Sequence, residues 1–138
     1  MSSTQQTHAT AAAFREAVEN WELDAVPALL APDIVFHSPV TFHPFIGRET
    51  VSRLLGLVGE TFEGFRYTDE LAGEDSHALI FRAHVAGKEL EGIDLLRFDE
   101  QGLIADFTVM IRPLSALLPF AQAMGEKAEQ AGVQTTRS

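Results

Sequence analysis

The sequence contains no cysteine, and this absence excludes several kinds of chemistry. Disulfide bonds, thiolate metal sites and cysteine nucleophiles are all ruled out. Long hydrophobic runs are missing too, since the longest, such as Val26–Ala31 and Leu114–Ala121, are far too short to span a bilayer. Residues 1–10 lack the basic start and the apolar stretch of a signal peptide. We therefore predict a cytoplasmic protein.

Positive charge is scarce as well. Ten lysine and arginine residues stand against 20 aspartate and glutamate residues, which gives a formal net charge of −10. A field of this sign repels phosphate backbones and anionic lipids, so we expect neither a nucleic acid nor a membrane as partner. The sequence also lacks a phosphate loop, a dinucleotide fingerprint and closely spaced histidines, so we expect no cofactor and no metal.

The order of the periodic segments predicts one α+β domain, for which 138 residues are enough. Before Gly64 the apolar residues have helical spacing, with one stripe from Phe14 to Trp21 and another from Val51 to Phe62. After Gly64 the period changes to two, which is typical of strands. Helices followed by an antiparallel meander predict a curved sheet wrapped around a helix, with a pocket between them.

Caps, breaks and turns predict where the elements begin and end. Asp24 is a candidate cap for a short helix over Ala25–Ala31, which Pro32 then ends, and Leu114–Met124 is the predicted closing helix. Few large apolar residues occur at the ends of the sequence, so we predict flexible tails at residues 1–9 and 125–138. The predicted strands are Ile34–His37, Phe65–Leu71, His77–Ala86, Glu89–Phe98 and Leu103–Arg112.

One carboxyl group falls on the face of the sheet that should face the helices. Because side chains alternate along a strand, Glu89–Phe98 has an inner face that is apolar except for Asp94. An ionised carboxylate there must be hydrogen-bonded, paired with a charge, or protonated through a raised pKa. Such groups are frequent at functional sites. Asp94 is therefore our first candidate for acid–base catalysis, and a purely structural aspartate held by Tyr67, Trp21 or the backbone is the alternative.

Two other candidate catalytic residues lie at the end of the strand Ile34–His37. His37 could act as a base near neutral pH, and Ser38 could hold a substrate oxygen. Strand alternation places His37 on the face opposite Ser38, where a half-buried histidine at an interface is the alternative. The predicted ligand-binding wall is formed by Phe14, Trp21, Phe36, Tyr67, Phe81, Leu96, Phe107, Val109 and Ile111.

The opposite, outer face of the predicted sheet mixes apolar and charged side chains. Ile93, Leu95 and Met110 are interleaved with residues such as Arg82 and Arg97. A half-apolar sheet surface predicts self-association, most simply as a two-fold homodimer. A sheet face that is merely half solvated fits the same pattern.

Four segments, in their order and spacing, resemble the SnoaL-like branch of the nuclear-transport-factor-2-like superfamily. They are Leu23–Asp24, Ala31–Val40, Ile46–Glu49 and Ile93–Phe98, and the likeness covers about residues 10 to 120. The resemblance implies a cone-shaped, cystatin-like fold and a single SnoaL-like domain over residues 10–124. The superfamily includes ketosteroid isomerase, polyketide cyclases, epoxide hydrolases, dehydratases and non-catalytic binding domains, so the fold alone does not define an activity.

Comparison with ketosteroid isomerase implies roles for three positions. Asp94 matches the carboxylic acid of that enzyme's oxyanion site. Ser38 stands where the general base precedes a Pro-Val pair, and Phe14 stands near the position of the oxyanion tyrosine. Serine cannot replace that base unaided, so the resemblance implies a different chemistry or simple binding.

These observations support three hypotheses. The first is a cofactor-independent isomerase, cyclase or dehydratase that acts on an apolar small molecule by acid–base chemistry at Asp94, with Ser38 or Tyr67 holding a substrate oxygen. The second is a non-catalytic binding module for a hydrophobic metabolite. The third is a dimeric scaffold whose cavity is small or filled.

Overall fold

The computed structural model of the chain describes residues 2–132, which fold in the predicted α+β order. Two short 3₁₀ turns, Leu23–Ala25 and Pro27–Leu29, join the first helix to the sheet. The helices are α1 (Ser2–Glu19), α2 (Arg48–Thr61) and α3 (Leu114–Ala131). The strands are β1 (Leu30–His37), β2 (Phe45–Ile46), β3 (Glu63–Ala72), β4 (Ser76–Val85), β5 (Lys88–Phe98) and β6 (Ile104–Arg112).

The strands form one curved sheet in the order β2-β1-β6-β5-β4-β3. The meander from β3 to β6 is antiparallel, as predicted. Its register places Asp94 on β5 directly between Leu79 on β4 and Val109 on β6. The sheet is nevertheless mixed, because β1 pairs with β6 in parallel. The last strand of the meander, β6, therefore lies beside β1 and runs in the same direction.

The helices pack on the inner face of the sheet and enclose the core with it. On β4 and β5 the predicted inner residues, such as Leu79 and Leu90, are buried, apart from Phe98 at the end of β5, which is partly buried. Gly92 permits this packing, because a Cβ there would lie 2.3 Å from the ring Cζ of Phe81 and 2.8 Å from the Met110 carbonyl oxygen. The predicted parity is wrong at the start of β6, where Ile104 is fully buried.

That error at β6 has a local cause. Strand alternation counted back from Phe107 predicts that Leu103 lies on the inner face, but Leu103 is only half-buried. The β5–β6 register shifts between Arg97 and Phe98, next to the turn. A shift of one residue moves a side chain to the other face of a sheet.

The segment before β1 differs from the predicted short helix over Ala25–Ala31. It consists of the two 3₁₀ turns, and β1 begins at Leu30 and runs through Pro32. Proline is tolerated in strands at irregular positions, and the β1–β6 register shifts between Leu30 and Val35. The helix α1 also ends earlier than its apolar stripe suggests, since Trp21 follows it with a positive φ of 58°.

Both ends of the described chain continue the terminal helices, and the flexibility expected of residues 1–9 and 125–138 stays a prediction. Residues 2–9 belong to α1 and residues 125–131 to α3. Thr7 is buried, the Thr10 hydroxyl donates a hydrogen bond to the Gly102 carbonyl at 2.5 Å, and Ala128 is fully buried. Small side chains can thus pack closely without large apolar surfaces. Met1 and residues 133–138 lie outside the described residues.

Within residues 2–132, no helix is both long and apolar enough to cross a bilayer.

Candidate functional site

A cavity of about 60 Å³ lies against the inner face of the sheet, and we call it the Asp94 cavity. Its walls come from α1, α2, the first 3₁₀ turn, β3, β5 and β6. They are apolar or aromatic apart from the Asp94 carboxyl and the Tyr67 hydroxyl. A volume of this size holds a few ordered waters or the polar end of a ligand. The lining residues are Phe14, Val18, Trp21, Leu23, Val26, Leu55, Val58, Gly59, Phe62, Phe65, Tyr67, Asp94, Phe107 and Val109.

Asp94 and Tyr67 form the polar centre of this cavity. The Tyr67 hydroxyl donates a hydrogen bond to Asp94 Oδ2 at 2.9 Å, and the two residues are only 8% and 6% exposed. Burial raises the pKa of Asp94 from 3.8 to about 7, although the hydrogen bond from Tyr67 acts to lower it. Burial, followed by the nearby Asp94 carboxylate, raises the pKa of Tyr67 well above its usual value. Near neutral pH the Asp94 carboxyl can therefore either donate or accept a proton.

Replacing Tyr67 with phenylalanine is expected to raise the pKa of Asp94 further above 7. The reason is that the phenol stabilises the charged carboxylate, and Tyr67→Phe removes this donor while keeping the ring. Carboxyl-carbon NMR titration would measure the shift, with Asp94→Asn identifying the resonance. An unchanged or lower pKa would show that the hydrogen bond does not stabilise the charged form.

A charged cluster lies beside Tyr67, between α1 and the sheet. The Arg15 guanidinium carbon is 5.7 Å from the centre of the Tyr67 ring, within the range of a cation–π contact. Arg15 forms ion pairs with Glu19 at 3.0 Å and Glu70 at 2.5 Å, and Glu70 also contacts His77 Nε2. The hydrogen bond from His77, and next that from Arg15, hold the pKa of Glu70 below its usual value. The cluster ties α1 to the strand that carries Tyr67.

The Arg15 cluster was missed at the sequence level. Helical periodicity predicts a solvent-facing position for Arg15, outside the apolar stripe from Phe14 to Trp21, and its side chain is one-third exposed. The spacing of Arg15 and Glu19 by four residues was a visible signal for an ion pair. Nothing local in the sequence indicates that Glu70, on β3, completes the cluster.

Ser38 lines a second, smaller cavity of about 30 Å³, which we call the Ser38 cavity. Its Oγ accepts hydrogen bonds from the backbone N–H groups of Val40 at 3.0 Å and Thr41 at 3.2 Å. The hydroxyl oxygen is thus engaged in shaping the loop after β1. Ser38 does not line the Asp94 cavity, so the structure does not bring these two candidate residues together.

His37 lies on the outer side of the sheet, as strand alternation predicts. Its Nε2 is 3.1 Å from Asp106 Oδ2, and both side chains are partly exposed. His37 lines an outer groove with Thr108 and Met110 and takes no part in the lining of the Asp94 cavity. Grouping His37 with Asp94 as catalytic residues is therefore not supported by their placement. Within the described residues, no set of three or more histidine, aspartate or glutamate side chains could hold a metal ion.

The predicted wall residues divide among several places. Phe14, Trp21, Tyr67, Phe107 and Val109 line the Asp94 cavity, while Phe36 and again Val109 line the Ser38 cavity. Phe81 and Leu96 are buried in the solid core and line neither cavity, and Ile111 packs at its margin and borders the outer grooves. Alternation identifies inward-facing side chains, but it does not tell which of them border a void.

Gly59 on α2 is a wall position that the sequence did not indicate. A Cβ at Gly59 would lie 3.0 Å from Leu23 and 3.3 Å from the Trp21 ring. The missing side chain therefore lets the Trp21 indole lie close to α2 at the rim of the Asp94 cavity, where Trp21 remains 59% exposed.

With this geometry in place, comparison with known proteins defines the family. Residues 11–107 match the SnoaL-like domain. The chain belongs to the SnoaL-like family. This confirms the resemblance stated from the sequence. No curated protein matches the chain significantly.

Solved structures of similar proteins show the same fold. The SnoaL-like chain is similar to a steroid delta-isomerase from Pseudomonas aeruginosa, with a TM-score of 0.88 and 39% identity over 91% of this chain and 93% of that one. The chain is also similar to an uncharacterized protein with a cystatin-like fold from Silicibacter pomeroyi DSS-3. The TM-score is 0.85 and the sequence identity 32%, over 89% of this chain and 87% of that one. An NTF2-like protein of unknown function from Mesorhizobium loti has a TM-score of 0.71 and 19% sequence identity, over 80% of this chain and 93% of that one. This similarity shows the fold alone.

Proposed function

We propose that the chain is a cofactor-independent enzyme that moves a proton on an apolar small molecule, with Asp94 as the acid–base group. The observation that carries this proposal is a buried carboxyl group whose pKa is raised to about 7, bonded to Tyr67 in an otherwise apolar cavity. A group with a pKa near the working pH is the most effective acid–base catalyst. The similarity to a protein described as a steroid delta-isomerase favours an isomerase.

The proposed chemistry uses both members of the Asp94–Tyr67 pair. The ionised Asp94 carboxylate takes a proton from the carbon next to a carbonyl, and the electron pair of the broken C–H bond moves toward the carbonyl oxygen. Protonated Asp94 is a weaker acceptor, so the Tyr67 hydroxyl becomes free to donate to the developing oxyanion. In a β,γ-unsaturated carbonyl compound, Asp94 then returns its proton to the γ-carbon while the double bond moves into conjugation with the carbonyl, which completes an isomerisation with no net change in atoms.

Ser38 distinguishes this proposal from the mechanism implied by the resemblance to ketosteroid isomerase. The position of that enzyme's base is a serine here, and its oxygen is bound by two backbone N–H groups. The proposal therefore assigns both removal and return of the proton to Asp94. A steroid substrate is not part of it.

The test is to incubate the protein with apolar ketones in D₂O and follow exchange of the protons next to the carbonyl by NMR. We expect exchange that is faster than in buffer and saturates with ketone concentration. Saturable binding without exchange would contradict catalysis and leave a binding module. Neither binding nor exchange would favour the scaffold hypothesis.

A binding module is the second candidate, and one observation favours it. Asp94 and Tyr67 are the acid–base side chains of the Asp94 cavity lining, and Tyr67 is held protonated by burial. Many proton-transfer enzymes place two such groups with separated pKa values around the substrate. With one titrating group, Asp94 would fix the orientation of a ligand oxygen and nothing more.

The proposal also includes a homodimer through the outer face of the sheet. Ile93 and Leu95 are half-buried there, and Met110 is exposed. Two arginines on this face are paired within the chain, since Glu91 lies 3.7 Å from Arg82 and 3.2 Å from Arg112. A balanced, partly apolar surface does not repel a second copy of itself. The cytoplasmic location and the absence of nucleic-acid and membrane partners stay predictions.

A charge placed on this face should break the dimer. Leu95→Glu is expected to weaken self-association at least about tenfold, because burying an unpaired carboxylate costs well over 1 kcal/mol. Analytical ultracentrifugation over a concentration series would measure this. Leu118→Glu, at an exposed position on α3, is the control and should leave the dimer intact. A monomeric wild-type protein would contradict the proposal.

A further inference from the structure

Two valines separate the Asp94 cavity from the Ser38 cavity. Val58 on α2 and Val109 on β6 line both, and they come from opposite sides of the core. Val109 is buried and is the direct cross-strand neighbour of Asp94. We call these two side chains the valine neck. Of the residues that line the Ser38 cavity, these two also line the Asp94 cavity, so a path from one cavity to the other runs beside them.

The neck is stiff for physical reasons. β-branched side chains have one strongly preferred rotamer in a helix and few in a strand, so neither valine can swing aside freely. Widening the gap would require α2 to move away from the sheet, and closely packed cores resist such movement. An unbranched methylene chain is the narrowest apolar group that could pass, whereas a fused ring system is much wider.

The two ends of the path differ in chemistry. The Asp94 cavity has the carboxyl and phenol groups that can bind a carbonyl oxygen. The Ser38 cavity is bordered largely by apolar side chains, including Phe45, Phe120 and Met124, and suits the end of a hydrocarbon chain. Its serine oxygen is already bound by the loop backbone.

We propose that the valine neck makes the site specific for unbranched aliphatic carbonyl compounds, with the carbonyl at Asp94 and Tyr67 and the chain threaded into the Ser38 cavity. This inference rests on the proposed function and names its substrate class. Val58 and Val109 are then specificity-determining residues. They act through the shape of the ligand and not through proton transfer.

The test compares 2-decanone with 2-decalone, a linear and a fused-ring ketone with the same number of carbon atoms. Binding would be followed by the fluorescence of Trp21, the single tryptophan of the sequence, which borders the Asp94 cavity, and checked by calorimetry. We expect the wild-type protein to bind 2-decanone at least about tenfold more tightly. In the linear series from 2-hexanone to 2-decanone, affinity should rise by about fourfold for each added methylene.

Val109→Ala and Val58→Ala should each raise the affinity for 2-decalone and reduce the preference for the linear ketone about tenfold. The control is Val85→Ala, which removes the same atoms from a buried valine on β4 that borders neither cavity. Val85→Ala shows the effect of a general loosening of the core. This variant should retain the preference for 2-decanone over 2-decalone. Melting curves would show that all three variants fold.

The outcomes separate the two proposals. If no ketone binds to the wild-type protein, both the neck and the proposed function are wrong. If ketones bind and exchange their protons, but the linear preference is absent or unaffected in both neck variants, only the neck is wrong. A preference that is also lost in Val85→Ala would assign it to core packing and overturn the role of the neck.

Discussion

Asp94→Asn is expected to lower the rate of α-proton exchange about 10²–10⁴-fold, the usual contribution of a general acid–base group. Asparagine has nearly the same shape as aspartate, and its amide oxygen can still accept the hydrogen bond from Tyr67. In the wild-type protein the Tyr67 hydroxyl oxygen is 2.9 Å from Asp94 Oδ2. It can neither take nor return a proton at neutral pH. Ketone affinity should therefore change little while turnover is lost, and NMR exchange rates combined with Trp21 fluorescence would measure both.

The matched control for this variant is Asp106→Asn. Asp106 pairs with His37 on the outer side of the sheet and does not line the Asp94 cavity, so its substitution should leave exchange unchanged. If Asp94→Asn retains wild-type exchange, Asp94 is not the acid–base group. Equal loss in both variants would point to a general effect on folding.

The same carboxyl group should make the wild-type protein gain stability as the pH falls, relative to Asp94→Asn. The pKa of Asp94 is raised in the folded state from 3.8 to about 7, so the folded protein binds this proton more tightly than the unfolded chain does. Its contribution is fully present below pH ~4 and is lost as the pH rises through ~7. Between pH 8 and pH 5 the difference in unfolding free energy should shift by about 2–3 kcal/mol in favour of the wild type.

Denaturant unfolding of both proteins across this pH range would measure the shift. Other groups titrate as well, and Glu70 acts in the opposite direction because its pKa is lowered in the folded state. Its stabilising contribution is lost as the pH falls. Since both proteins contain Glu70, that contribution cancels in the comparison. A difference that does not vary with pH would show that Asp94 is ionised and solvated like an ordinary surface carboxylate.

The sequence was sufficient to locate Asp94 because strand alternation is a local rule. A period of two in β4 and β5 separates inner from outer residues without knowledge of the rest of the fold. The same rule placed His37 on the outer side of the sheet. It failed at Leu103, where a register shift beside the turn changes the alternation. Periodic patterns are informative within an element and lose their meaning where pairing becomes irregular.

The rest of the candidate site depends on contacts between distant parts of the chain. Val58 and Val109 are ordinary core residues in their own segments, and only the packing of α2 against β6 makes them a shared wall. Arg15 reaches Tyr67 and Glu70 because α1 lies across β3. Ser38 is a candidate to hold a ligand oxygen by its position in the sequence, but the backbone N–H groups of Val40 and Thr41 donate hydrogen bonds to its Oγ. None of these relations has a periodic signature in sequence.

The parallel pairing of β1 with β6 has a consequence for how the protein folds during synthesis. β1 leaves the ribosome early, and its other partner is only the two-residue β2. The backbone N–H and C=O groups along the other edge of β1 have no strand to pair with until β6, the last strand, has been synthesised. The pairing therefore closes a large loop, and such contacts form slowly. A nascent chain halted before Ile104 would present unpaired edges on both β1 and β5, where neighbouring chains could pair and aggregate.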